Sequence, residues 1–155
     1  MTPRPLKPPQ GRKKQRREPL FHRWFQARPL AVRDALLRLR QRFQGQVCDD
    51  MLGRAELVLA EVMNNIAEHG GADPSRVPVI HLTVMRHDTG LVCAITDDGP
   101  ALPGRIMAQQ PGLPAADTLP EGGFGWFLIH DLTQQLCYFR DGGRNVLAFT
   151  IPPQD

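Results

Sequence analysis

Residues Glu61 to His69 read Glu-Val-Met-Asn-Asn-Ile-Ala-Glu-His and close the longest helical pattern in the chain. That pattern begins at Asp49 or Asp50, either of which can cap it, and runs through Leu52, Ala55, Leu59, Val62, Met63 and Ile66 to Gly70 and Gly71. At 100° per residue, Glu61, Asn65 and His69 fall at roughly 0°, 40° and 80°, while the apolar stripe centres near about 140°. The three polar residues thus form a row along the margin of the buried face. Polar groups at such a margin need partners, and an amide oxygen beside a carboxylate suits an octahedral Mg²⁺ that keeps most of its waters. A solvated polar face has the same pattern, so the row gains meaning only from what surrounds it.

Upstream, Leu20 to Gln26 is a strand candidate with Leu20, Phe21, Trp24 and Phe25. Pro29 suits the first turn of a helix over Leu30 to Phe43, with Leu36, Leu37, Leu39 and Phe43 on one side and Gly45 at its end. Downstream, Val79 to Arg86 alternates, with Ile80, Leu82 and Val84 on one face. Asp88-Thr89-Gly90 makes a turn, and Leu91 to Thr96 is a continuous apolar run, which completes a hairpin. Residues 99 to 123 carry five prolines and five glycines, a loop of about 25 residues, and a loop of that length is usually functional or mobile. A helix from Gly125 to about Gln135 precedes two strands, Leu136 to Arg140 and Val146 to Ile151, joined by Asp141-Gly142-Gly143. This order predicts an α+β fold, a two-layer sandwich in which a mixed, mostly antiparallel sheet carries three helices on one face.

Two further stretches carry chemistry. In Ile95-Thr96-Asp97-Asp98-Gly99 a carboxylate stands where a buried strand stops, able to accept a hydrogen bond from an amino group, and Gly99 lets the backbone approach a flat ring. An ordinary Asp-Asp-Gly turn reads the same way. In Glu121-Gly122-Gly123-Phe124-Gly125-Trp126, glycines open a helix whose first N–H groups are unpaired, which makes a phosphate cradle. It is neither the dinucleotide Gly-x-Gly-x-x-Gly after a strand nor a P-loop, so those two nucleotide readings fail.

Taken together and in this order, the three stretches resemble the N, G1 and G2 boxes of the GHKL (Bergerat-fold) ATPases over about residues 20 to 151. Within that superfamily, Glu61-x-x-x-Asn65-x-x-x-His69 on a short chain is similar to the bacterial anti-sigma-factor serine/threonine kinase branch. The resemblance implies ATP and Mg²⁺ as cofactors, Asn65 as the Mg²⁺ ligand and Glu61 as general base. It also implies that Asp97 takes the adenine amino group with Gly99 beside the ring, and that Gly123 and Gly125 meet the phosphates. Pro100 to Glu121 then stands in the place of the ATP lid, where Arg105 is the one cation between Gly99 and Gly125 able to reach phosphates. The chain departs from the family pattern at Ala101, which replaces the second glycine after Asp97, and at Gly143-Arg144-Asn145, where the threonine contact to adenine finds no match.

The activity so implied is ATP-dependent phosphorylation of a protein serine or threonine. The protein partners are a small antagonist of the anti-anti-sigma type and a sigma factor or similar regulator. Pairing of two copies through the sheet and first strand is also implied, with Phe21, Trp24 and Phe25 as core or dimer-face residues. The rival readings are a non-catalytic ATP-binding module that sequesters a partner, and the detached catalytic domain of a two-component histidine kinase. The second would need its phospho-acceptor helices on a separate chain, because none fit in the roughly 20 residues before the first strand.

The formal charge of +3 is divided unevenly. Seven of the 19 Lys and Arg lie within the first 17 residues, which leaves 12 arginines against 15 acids from residue 19 onward. Residues 1 to 18 therefore read as a basic, proline-rich, disordered tail on a single domain of residues 19 to 155. Direct nucleic-acid binding is not expected of the domain. Cys48, Cys93 and Cys137 are far apart and form no Cys-x-x-Cys pair, which argues against a disulfide framework or a zinc site and leaves buried thiols as the expectation. No apolar run reaches 18 residues, so neither a membrane span nor a signal peptide is expected, and the location expected is the cytoplasm.

Overall fold

A computed structural model describes residues 20–70, 75–101 and 123–154. The tail, Gly71 and most of the long proline- and glycine-rich loop, Arg105 included, lie outside the described residues. The elements are β1 (Leu20–Gln26), α1 (Pro29–Phe43), α2 (Asp49–His69), β2 (Val79–His87), β3 (Gly90–Asp97), α3 (Gly123–Leu132), β4 (Gln134–Asp141) and β5 (Arg144–Ile151).

The sheet order is β1-β2-β3-β5-β4 and every ladder is antiparallel. Because β5 lies between β3 and β4, those two run in the same direction. The chain joins them by way of α3, which packs against α2. Alternation puts Ile80, Leu82, Val84, Leu91, Cys93, Ile95, Leu147, Phe149 and Ile151 on the helix side, where they meet Leu39, Phe43, Leu52, Leu59, Met63 and Ile129 in one core. Burial of this one set of faces is the main driving force for the two-layer arrangement. Among the described residues no helix is long and apolar enough to cross a membrane.

Several local expectations change in the structure. The buried stripe of α1 is Val32, Ala35, Leu39 and Phe43, with Leu36 packed at its edge and Leu37 55% exposed. Leu37 is two residues from Leu39 and so lies roughly 160° around the helix from it, on the solvent side. Neither Asp49 nor Asp50 caps α2; the cap position is Cys48, and the Asp50 carboxylate instead accepts a bond from Arg54 Nε at 2.8 Å. Both aspartates still place negative charge at the positive end of the helix. Strand β3 is covered on one face only, since Leu91, Cys93 and Ile95 are buried while Val92, Ala94 and Thr96 are half-exposed. Of the thiols only Cys93 is buried; Cys48 and Cys137 are exposed. Helix α3 begins at Gly123, two residues earlier than expected, and ends at Leu132, because Gln134 already pairs with Thr150 across an irregularity in the β4 ladder.

The two hairpins use glycine for different reasons. Gly142 and Gly143 both have positive φ (56° and 76°), which a two-residue turn joining β4 and β5 requires. Gly90 opens β3 at φ 125°, and a Cβ there would run into the backbone carbonyl of Ile151. Gly90→Ala is therefore expected to lower stability by about 2 kcal/mol or more, since strained backbone and a clash with backbone act together. Urea unfolding checks this, and an unchanged midpoint would refute it.

Candidate nucleotide-binding site

Helix α2 organises the site. Its buried stripe of Leu52, Ala55, Leu59, Val62 and Met63 sets its rotation on the sheet, and this leaves Glu61 and Asn65 half-buried at the margin on one side. The third member of the row, His69, leaves it. Its side chain is 77% exposed and its ring nitrogen lies 3.9 Å from Glu68, not against Asn65.

Two other elements meet α2 along this margin. A Cβ on Gly125 would lie 2.5 Å from Glu61 Oε2, so the carboxylate rests against the first turn of α3, where backbone N–H groups have no intrahelical partner. A negative group is favoured there by the helix dipole. Gly123 is the first residue of the same turn. At the far end of α2, a Cβ on Gly99 would lie 3.5 Å from the Gly70 carbonyl oxygen and 2.9 Å from Asp97 Oδ1. The nine steps from Glu61 to Gly70 span about 13 Å at 1.5 Å per residue, so the margin has a glycine-opened helix at one end and a buried carboxylate at the other.

The two consecutive aspartates have different duties. Asp98 Oδ1 accepts the Val79 N–H at 2.8 Å, and Asp98 Oδ2 lies 3.8 Å from Arg76, so this carboxylate ties the start of β2 to the end of β3. Asp97 is only 6% exposed and its Oδ1 accepts the Gly99 N–H at 2.8 Å. Burial pushes the Asp97 carboxyl above its ordinary 3.8, and the Asp98 charge adds to this. The Gly99 N–H, Asn145 and Arg140 pull the other way without cancelling it. A buried acceptor held in place at a strand end is equipped to take an amino group.

Asn65 bears on the expected metal. Its Nδ2 is buried and has no hydrogen-bond partner among the described residues. A half-turn about its last side-chain torsion exchanges Nδ2 and Oδ1, so the same amide can present its carbonyl oxygen. Among the described residues no three His, Cys, Asp or Glu side chains cluster as metal ligands. One amide oxygen beside a carboxylate fits Mg²⁺, which binds through few protein ligands and keeps several waters.

Of the sequence-expected site residues, the structure brings Glu61 to Gly125 and Asp97 to Gly99 along one helix, with Asn65 between. The feature the sequence reading missed is Asn145, 3% exposed, together with Tyr138 and Arg140 beside it. A signal was present: Asn145 shares strand parity with the apolar Leu147, Phe149 and Ile151, and a polar residue within a buried alternation calls for an explanation. A pocket of about 300 Å³ opens at the end of the sheet among Trp24, Val79, His81, Thr96, Asp97, Asp98 and Arg144; it shares Asp97 with the candidate site and includes neither Glu61, Asn65 nor Gly125.

Comparison with known proteins bears on the family and the fold. The family model of the histidine kinase-like ATPase domain matches residues 25–151. Among solved structures, the histidine kinase domain of the blue-light activated histidine kinase EL346 from Erythrobacter litoralis has a TM-score of 0.50 and 18% identity, over 79% of this chain and 59% of that one. The chain thus spans less than two thirds of that domain, and the likeness is one of fold. No match was found among curated proteins. With a family match running from β1 to the end of β5 and an antiparallel sheet backed by three helices, the chain belongs to the GHKL-type histidine kinase-like ATPases, a family of ATP-binding domains.

Proposed function

We propose that this chain is an ATP- and Mg²⁺-dependent protein serine/threonine kinase that acts as an anti-sigma-type switch. It holds a sigma factor or similar regulator, and it phosphorylates a small antagonist protein on serine to set which of the two it holds. The observation that carries the reading is the placement of Glu61, a half-buried carboxylate against the first turn of α3 and one helical turn from Asn65. A nucleotide with its base at Asp97 would lie along α2 with its phosphates at Gly123 and Gly125, so its terminal phosphate would reach Glu61. There Glu61 accepts the proton of a serine hydroxyl as that oxygen bonds to the γ-phosphorus and the bond to the ADP oxygen breaks. The N–H groups of the first turn of α3, which have no intrahelical partner, stabilise the charge on the phosphate oxygens. Mg²⁺, when bound at Asn65, supplies further neutralisation of that charge.

The test is incubation of the full chain with Mg²⁺, γ-labelled ATP and a purified antagonist protein of the anti-anti-sigma type. Acid-stable label on an antagonist serine is expected. Acid-labile label would instead select a histidine kinase module, and an unlabelled antagonist with intact partner binding would select a sequestering module. For the metal role, Asn65→Ala is expected to lower affinity for Mg²⁺-ATP about tenfold, or ~1.4 kcal/mol, and to change affinity for Mg²⁺-free ATP much less. Equal losses by calorimetry in the presence and absence of Mg²⁺ would remove Asn65 as the ligand.

A further inference from the structure

The last strand opens with Gly143-Arg144-Asn145, where a threonine would be expected from the family resemblance. Register places Asn145 opposite Asp97 on β3 and opposite Arg140 on β4, so the three meet on the helix side of the sheet at its site end. Asn145 Nδ2 donates to Asp97 Oδ1 at 3.1 Å, to the Gly99 carbonyl at 3.3 Å and to the Pro100 carbonyl at 2.8 Å. Asn145 Oδ1 accepts from the Tyr138 hydroxyl at 2.7 Å and from Arg140 Nη1 at 2.9 Å, and the same Arg140 nitrogen donates to the Gly99 carbonyl at 3.0 Å. The amide orientation follows from chemistry: Arg140 can only donate, and the carbonyls can only accept.

The consequence for Asp97 is directional. Its Oδ1 is taken by the Gly99 N–H and by Asn145 Nδ2, which orients the carboxylate and, among the described residues, leaves Oδ2 to accept from a ligand. The backbone of Gly99 and Pro100, which would line the base, is held by the same amide. We propose that Asn145 is a positioning residue that aims the Asp97 carboxylate at an exocyclic amino group, and so sets a preference for 6-aminopurine over 6-oxopurine nucleotides. The proposal rests on the reading that Asp97 receives the base. A 6-oxo group at that place would set an acceptor against an acceptor, a mismatch that is discriminating only while the carboxylate is held in one orientation. Freed from Asn145, the carboxylate can turn aside and tolerate either purine.

The test is calorimetric titration of the full chain with Mg²⁺-ATP and with Mg²⁺-GTP, in the wild type, Asn145→Ala and Tyr138→Phe. The second variant keeps the ring packing and removes one of the two donors that hold the amide. Wild type is expected to prefer ATP. Asn145→Ala is expected to weaken ATP about tenfold and GTP by less than about twofold, so that the preference shrinks about tenfold, and Tyr138→Phe to shrink it about threefold in the same direction. A merely structural role would weaken both nucleotides alike, and that result overturns the proposal. If Asn145→Ala does not fold, the Tyr138→Phe ratio decides, and an unchanged ratio overturns it. Wild type that binds neither nucleotide overturns the base-binding reading and the proposal with it. Wild type that prefers ATP, with both variants keeping that preference in full, overturns the proposal alone.

Discussion

Glu61→Gln is expected to bind Mg²⁺-ATP within about twofold of the wild type and to lose phosphoryl transfer by a factor of about 10² to 10⁴, the usual contribution of a positioned general base. The substitution preserves the shape of the side chain, so the packing of its stem at the α2 margin and its approach to Gly125 are retained. What is lost is the ability to take a proton, since an amide oxygen is far less basic than a carboxylate. Two measurements on the same preparation separate the roles: single-turnover transfer to the antagonist, and nucleotide affinity by calorimetry. Transfer at the wild-type rate would remove Glu61 as the base. A parallel loss of ATP affinity would make it a binding residue instead.

Asp97→Asn is expected to weaken ATP by about 10- to 100-fold, as befits a hydrogen bond to a charged acceptor, and at the same time to stabilise the nucleotide-free protein. The two effects have one origin. Burial disfavours the ionised carboxyl, so its pKa in the fold lies above the ordinary 3.8. The folded state therefore holds this proton more tightly than the unfolded chain does. Between 3.8 and the raised value, stability at this residue grows as the pH falls and is lost as the pH rises. This is the reverse of the behaviour of a salt-bridged aspartate. Nucleotide affinity runs the other way, because protonation removes an acceptor. An Asn side chain keeps the Oδ1 acceptor for the Gly99 N–H and Asn145 and avoids the cost of burying charge. Thermal midpoints measured from pH 7 to pH 4 should show Asp97→Asn above the wild type at neutral pH, with the gap closing on acidification. A gap that widens toward low pH would contradict the assignment, as would ATP affinity unaffected by the substitution.

Much of the fold is legible in the chain because its signals are local. The boundaries of β1, the 3.6-residue period of α2 and the alternation of β2 each depend on neighbours within one element. Expectation and structure part where the outcome depends on a partner. Leu37 and Leu39 are both apolar, yet only one stripe of α1 can face α2 and the sheet, and Leu37 lies outside it. Asp50 was a sound cap by composition, but Arg54 one turn away claims its carboxylate.

The candidate site divides in the same way. Glu61, Asn65, Asp97, Gly99, Gly123 and Gly125 could be named from three short stretches, because each stretch ends or opens an element and carries a residue type suited to a task. The sequence by itself thus determined the kind of fold, the family resemblance and the cast of polar residues. Tertiary structure alone decided that Glu61 lies against Gly125 and that Asp97, not Asp98, is the buried carboxylate. It alone showed that Asn145, 48 residues further on, holds Asp97 in position. The physical reason is that helical and strand periods are properties of a few consecutive residues. The pairing of β3 with β5, by contrast, brings together side chains whose only relation is register across a ladder, and no local pattern encodes that register.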